Sequence, residues 1–166
     1  MHLFTLVRAG VVVLAGAVVL GTSAAAAPAT NSNRSDDGSK TLTFDVQFSP
    51  FELVRSSATP DPNTGLGLGD QLIFHDLLFV KGVQVGDEGG SCVIVDAGQT
   101  LANCVHTIRL AGGTITAQFL NSPPPLKQLA ITGGSGSYRR VAGDGTLLEH
   151  GDGTGTETLH LFGVRD

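Results

Sequence analysis

From Thr41 onward the chain is interrupted every few residues by glycine or proline, and the intervals between are short runs of β-branched, aromatic and aliphatic residues. The runs cover residues 41–48, 71–80, 91–95, 104–110, 114–120, 127–131, 146–149 and 156–162. A helix needs about ten or more residues of 3.6-residue periodicity without such breaks, and no stretch after Gly21 supplies them. Short runs separated by turn signals predict an all-β sandwich or barrel. The 23 glycines are read as hairpins and bulges, among them Gly65, Gly67, Gly69, Gly89-Gly90, Gly112-Gly113 and Gly133-Gly134. Neither Gly65-x-Gly67-x-Gly69 nor Gly133-Gly134-x-Gly136 opens a helix, which excludes a dinucleotide-binding fingerprint.

The first thirty residues have a different character. Arg8 precedes an apolar run from Ala9 to Gly21, followed by Thr22, Ser23 and four alanines. That order predicts a signal peptide over residues 1–29, because the apolar run falls short of the ~20 residues of a membrane span and small residues follow it. Residues 30–40 are polar and aperiodic and predict a disordered leader. Residues 41–166 are then one domain, secreted and free of the membrane once the signal is cleaved. Without Arg8 the chain keeps nine basic residues against fifteen acidic ones, a net charge of −6. Such a surface repels phosphate and excludes nucleic acid as a partner.

The chain holds one tyrosine, Tyr138, and no tryptophan, but eight phenylalanines. Sugar and single-stranded nucleic-acid sites rely on exposed aromatic platforms, so this inventory favours a small hydrophobic ligand. Cys92 and Cys104 lie six residues on either side of Gly98. A symmetric hairpin places them face to face within disulfide reach, and an exported chain meets an oxidising compartment. The alternative is a free interior thiol. No histidine has ligand spacing around the pair, so no metal is expected. Nor is there a Ser-His-Asp order or a G-x-S-x-G elbow.

The segment Leu129-Ala130-Ile131-Thr132-Gly133-Gly134-Ser135-Gly136-Ser137-Tyr138 resembles the strand and glycine-rich turn of allene oxide cyclases, and dirigent proteins carry a related run. Leu68-Gly69-Asp70, Phe74, Val85-Gly86 and Gly90-Ser91-Cys92-Val93-Ile94 are similar in order and spacing to the cyclase pattern, as is the opening Phe44-Asp45-Val46-Gln47. The resemblance implies an eight-stranded antiparallel β-barrel, commonly a trimer, that binds an apolar substrate in its lumen without a cofactor. It implies a cyclase or isomerase; the alternative is a dirigent-like protein that orients a ligand or radical without turning it over.

By that resemblance Asp45 stands where the cyclase strand has an inward glutamate, Gln47 where it has asparagine, and Asp76 where it has a second asparagine. Asp45 and Asp76 are thus the expected catalytic pair, two carboxyls whose proximity pushes their pKa values apart into an acid and a base. Phe74, Gln47, Cys92 and His106 are expected to line the ligand site. His75 alternates with Asp76 and is expected on the outside. Asp87-Glu88 reads as a solubilising pair, and His150 and His160, with Glu149 and Glu157 beside them, as solvated surface.

Overall fold

The computed structural model describes residues 38–123 and 125–164; the expected signal peptide and most of the expected leader lie outside them. The strands are β1 Lys40–Gln47, β2 Glu52–Val54, β3 Gln71–Val80, β4 Val83–Asp96, β5 Leu101–Leu110, β6 Gly113–Asn121, β7 Leu126–Gly134, β8 Ala142–Glu149 and β9 Thr154–Phe162. A 3-10 turn, Gly136–Tyr138, joins the region between β7 and β8. From β3 to β9 each strand pairs antiparallel with the next, β9 pairs with β1, and β1 closes the sheet on β3. The expected closed eight-stranded barrel is therefore the fold.

Its closing seam is divided. β1 meets β3 at Asp45–Phe79, Val46–Leu78 and Gln47–Leu77, while β2 meets the same edge at Glu52–Ile73, Leu53–Leu72 and Val54–Gln71. The second register is slipped by one residue relative to the first. β1 and β2 therefore form one eighth strand interrupted by a bulge at residues 48–51, a device that bends a strand at a barrel rim. The sequence gives little warning of β2, which is only three residues long.

Closure sends every second side chain inward. β5 is the clearest case: Ala102, Cys104, His106 and Ile108 are buried, whereas Asn103, Val105, Thr107 and Arg109 are exposed. One end of the lumen is filled by Leu78, Ile108, Ile115, Leu159 and Leu161, with Tyr138 and Val141 in the same core. An eight-stranded barrel is just wide enough for side chains to fill or for one small ligand, so what the other end does depends on residue size.

Glycine is not confined to turns as expected. Gly89 and Gly90 lie within β4, which runs unbroken for fourteen residues. A Cβ on Gly90 would stand 2.3 Å from the Val105 carbonyl oxygen and 2.8 Å from the Cβ of its register partner His106. The glycine is there to admit a close neighbour.

Cys92 and Cys104 are direct register partners in β4 and β5, both buried and joined by a disulfide, with Cα atoms 4.0 Å apart. The expected bridge is present and the free-thiol alternative is not. A disulfide fits an oxidising environment. Among the described residues no helix is long and apolar enough to cross a membrane. Closing a loop across a sequence separation of 12 residues predicts that a Cys92→Ala/Cys104→Ala double variant loses about 2–4 kcal/mol of stability, measured by urea unfolding.

Candidate functional site

At mid-height of the lumen three strands each contribute one ionisable side chain: Glu88 from β4, His106 from β5 and Glu157 from β9. Their residues are 1%, 3% and 0% exposed. In the ring of strands β5 and β9 stand four apart, so His106 and Glu157 project toward each other from opposite walls. His106 Nδ1 is 3.3 Å from Glu88 Oε2 and its Nε2 is 3.6 Å from Glu157 Oε1. Neither approach has the alignment of a hydrogen bond. Both ring nitrogens, Glu88 Oε2 and both Glu157 oxygens are buried without a hydrogen-bond partner.

The walls explain how the imidazole fits. His106 pairs with Gly90 on one side and Ala117 on the other, and the edge of Phe119 packs against it with ring centroids 5.6 Å apart. Asp76 on β3 is the register partner of Glu88 and also points inward. Its Oδ1 accepts a hydrogen bond of 2.7 Å from the Ser49 amide, inside the bulge of the closing strand.

Burial and like charge govern protonation here. Desolvation raises Glu88 well above the ordinary carboxyl range, and the neighbouring Glu157 and Asp76 raise it further. Desolvation raises Glu157 to about 7, with the neighbouring Glu88 carboxyl opposing the rise and Asp76 adding to it. Burial lowers His106 to about 4, so the ring is neutral at physiological pH. Asp76 is raised by burial, and the Ser49 amide opposes that shift. Burial therefore favours the protonated form of Glu88, Glu157 exchanges a proton near neutrality, and a neutral imidazole lies between them. Glu88, His106 and Glu157 each have a ligand-type atom within 4.8 Å of the others. The two carboxyls approach different ring nitrogens, and groups so arranged can exchange protons or, through one nitrogen, hold a metal ion.

Beyond the cluster the lumen opens into a cavity of about 370 Å³. Phe48, Phe51, Leu72, Phe74, Phe119 and Leu147 give it apolar walls, Asp76 and Glu88 lie on it, and Cys92, Ser49, Asn121, Glu149, Gly151 and Gly153 complete the lining. Lys127, also buried, reaches Glu149 at 3.3 Å and the Ser122 carbonyl at 2.5 Å.

The sequence-predicted residues divide between lumen and outer wall. Asp76, Phe74 and Cys92 line the cavity and His106 lies in the buried cluster. Asp45 and Gln47 do not join them: both are exposed on the outer wall, a correction to the expected pair of carboxyls. The physical reason is parity, since Phe44 and Val46 are buried on β1 and a strand cannot turn Asp45 to the same side. His75 is outside as expected, 3.5 Å from Asp87, which also pairs with Arg109. Glu88 and Glu157 were expected at the surface and are instead the most deeply buried acids of the site. Alternation carried the signal for both: Glu88 shares a face with Cys92 and Ile94, and Glu157 with Leu159 and Leu161.

Residues 51–150 match the family model for the allene oxide cyclase barrel like domain. A search of curated proteins finds no match. Among solved structures, a pyocyanin demethylase is 30% identical with a TM-score of 0.64, covering 74% of this chain and 99% of that one. A pterocarpan synthase dirigent protein is 18% identical with a TM-score of 0.63, covering 80% and 99%. The Diels-Alderase of Streptomyces koyangensis is 14% identical with a TM-score of 0.57, covering 76% and 73%. The last two likenesses concern the fold.

The pKa shifts predict opposing effects on stability. Glu157 titrates near 4.5 when unfolded and about 7 when folded, so its contribution falls as pH rises through that window. His106, lowered from 6.5 to about 4, acts in reverse: its contribution is lost as pH falls through that window. Glu157→Gln removes the first effect, and with it part of the rise at Glu88, while leaving that of His106. From pH 5 to 8 the urea-unfolding free energy of the variant should improve relative to wild type by up to about 3 kcal/mol.

Proposed function

The chain belongs to the allene oxide cyclase barrel-like family, and from that premise we propose that it is a cofactor-independent acid–base catalyst of the cyclase or isomerase kind, acting on a small hydrophobic molecule in its lumen. The observation that carries this reading is the joining of an apolar cavity to buried groups of separated proton affinity. An isomerisation or cyclisation neither gains nor loses electrons, and needs only a proton supplied at one atom and removed at another. Glu88, on the cavity wall, supplies the proton, and the carboxylate of Asp76, also on that wall, takes up the one released at the second atom. His106 relays: it takes a proton at Nε2 from Glu157 and returns one from Nδ1 to Glu88. A group near neutrality, as Glu157 is, suits this exchange. Confinement of the substrate in one reactive conformer supplies the remainder of the rate.

The 30% identity to a pyocyanin demethylase supports a small ring-bearing substrate, and pyocyanin is the first compound to assay. The second reading, a dirigent-like protein that binds and orients, is favoured by one fact: of the cluster, only Glu88 reaches the cavity lining. The apolar N-terminal run and the disulfide support export from the cytoplasm. Exposed Ile73, Val93, Val95 and Val105 on adjacent strands support association of barrels through the outer wall.

Loss of a positioned acid or base costs roughly 10²–10⁴ in rate. Glu157→Gln and Glu88→Gln should each lower the rate of pyocyanin isomerisation, read by mass spectrometry as uptake of solvent deuterium, by at least about a hundredfold while Asp45→Asn leaves it unchanged. Undiminished turnover in both glutamine variants would remove the relay. Pyocyanin bound but unchanged by wild type would leave the orienting protein.

A further inference from the structure

The lumen holds an unbalanced set of charges. Glu88 and Glu157 flank one imidazole and Asp76 acts on both glutamates, and among the described residues no cationic side chain lines the cavity beside them. Lys127, the buried lysine, is engaged with Glu149 and the Ser122 carbonyl. The inward residues flanking Glu157 on its neighbouring strands, Phe44 of β1 and Leu147 of β8, carry no charge. An acid cluster alone would say little. Here three carboxyl oxygens, two on Glu157 and one on Glu88, are fully buried and have no hydrogen-bond partner.

Buried carboxyls without a counter-charge are expensive, and the chain meets the cost by keeping protons on them. A ligand that brings its own positive charge replaces such a proton and turns the cost into an ion pair. The walls above select the form of the cation. Phe48, Phe51, Phe74 and Phe119 surround the cavity, and the faces of aromatic rings attract desolvated cations. A naked metal ion gains little from such walls, and a ligand headed by a carboxylate would meet the acids as like charge.

We propose that the lumen selects an organic cation, a flat molecule with delocalised positive charge whose charged end is turned toward Asp76 and Glu88 on the cavity wall, with Glu157 behind them, while its body lies among the phenylalanines. This rests on the lumen being the binding site, as proposed above, and adds the charge class of what it binds.

The test compares two probes of one shape: the 1-methylquinolinium cation and the uncharged 1-methylnaphthalene. Calorimetric titration at pH 7 should show the cation binding at least about tenfold more tightly than its neutral counterpart. Repeating it in buffers of different ionisation enthalpy should show release of a fraction of a proton with the cation and none with the neutral probe. Glu157→Gln, and separately Glu88→Gln, should reduce the preference and the proton release, each variant first checked for a cooperative thermal transition. Equal affinity of the two probes overturns the proposal and leaves the lumen as a binding site. Binding of neither overturns the lumen reading and the proposal with it. Zinc ion that saturates the protein and displaces the quinolinium overturns the organic cation in favour of a metal.

Discussion

The structure depends on ring closure. Once β1 pairs with both β9 and β3, inward and outward are fixed for every strand, and a residue's chemistry follows from whether it falls on an odd or even position. The lumen is thereby divided along its axis: aliphatic packing at one end, acids and an imidazole at mid-height, and phenylalanines around an open cavity at the other. None of these zones exists in a single strand; each is assembled from neighbours distant in sequence. Glu88 and Glu157 lie 69 residues apart in the chain and meet only because the sheet curls onto itself.

The cluster shows how such a site is tolerated. The two glutamates and the histidine are each shifted toward the uncharged form by burial. The group as a whole therefore avoids carrying full charge in a poorly solvated space. Small residues make the room, Gly90 and Ala117 on either side of His106. The disulfide follows in the next inward rung of the same strand pair, since Cys92 and Cys104 lie two residues from Gly90 and His106. The bridge thus holds together the strands that set the position of the ring.

Much of this was legible in the sequence. Strand-length runs and the Leu129 to Tyr138 resemblance led to the barrel, and equal spacing about Gly98 led to the disulfide. Alternation within residues 71–80 separated His75 from Asp76 correctly. Where resemblance was set against alternation, alternation proved the better guide: Phe44 and Val46 already assigned Asp45 to the outside, and mapping a glutamate onto it reversed that assignment. Glu88 and Glu157 were overlooked for a related reason. A charged residue in a hairpin is usually solvated, and only its company on the strand face marks the exception. The cross-lumen meeting of Glu157 with His106 was not legible at all, because it depends on two strands opposite in the ring that never pair.

The divided seam has a mechanical consequence. β3 is joined to β4 by ten register pairs, but to β1 and to β2 by only three each. Phe48 and Phe51, in the gap between those two short pairings, are also walls of the cavity. The interruption of that seam therefore lies at the doorway. Parting of that seam and widening of the entrance are one displacement carried to different extents. Selection for faster passage would loosen that seam, selection for persistence would tighten it, and the short latch between Asp76 and the Ser49 amide is where the two pressures meet.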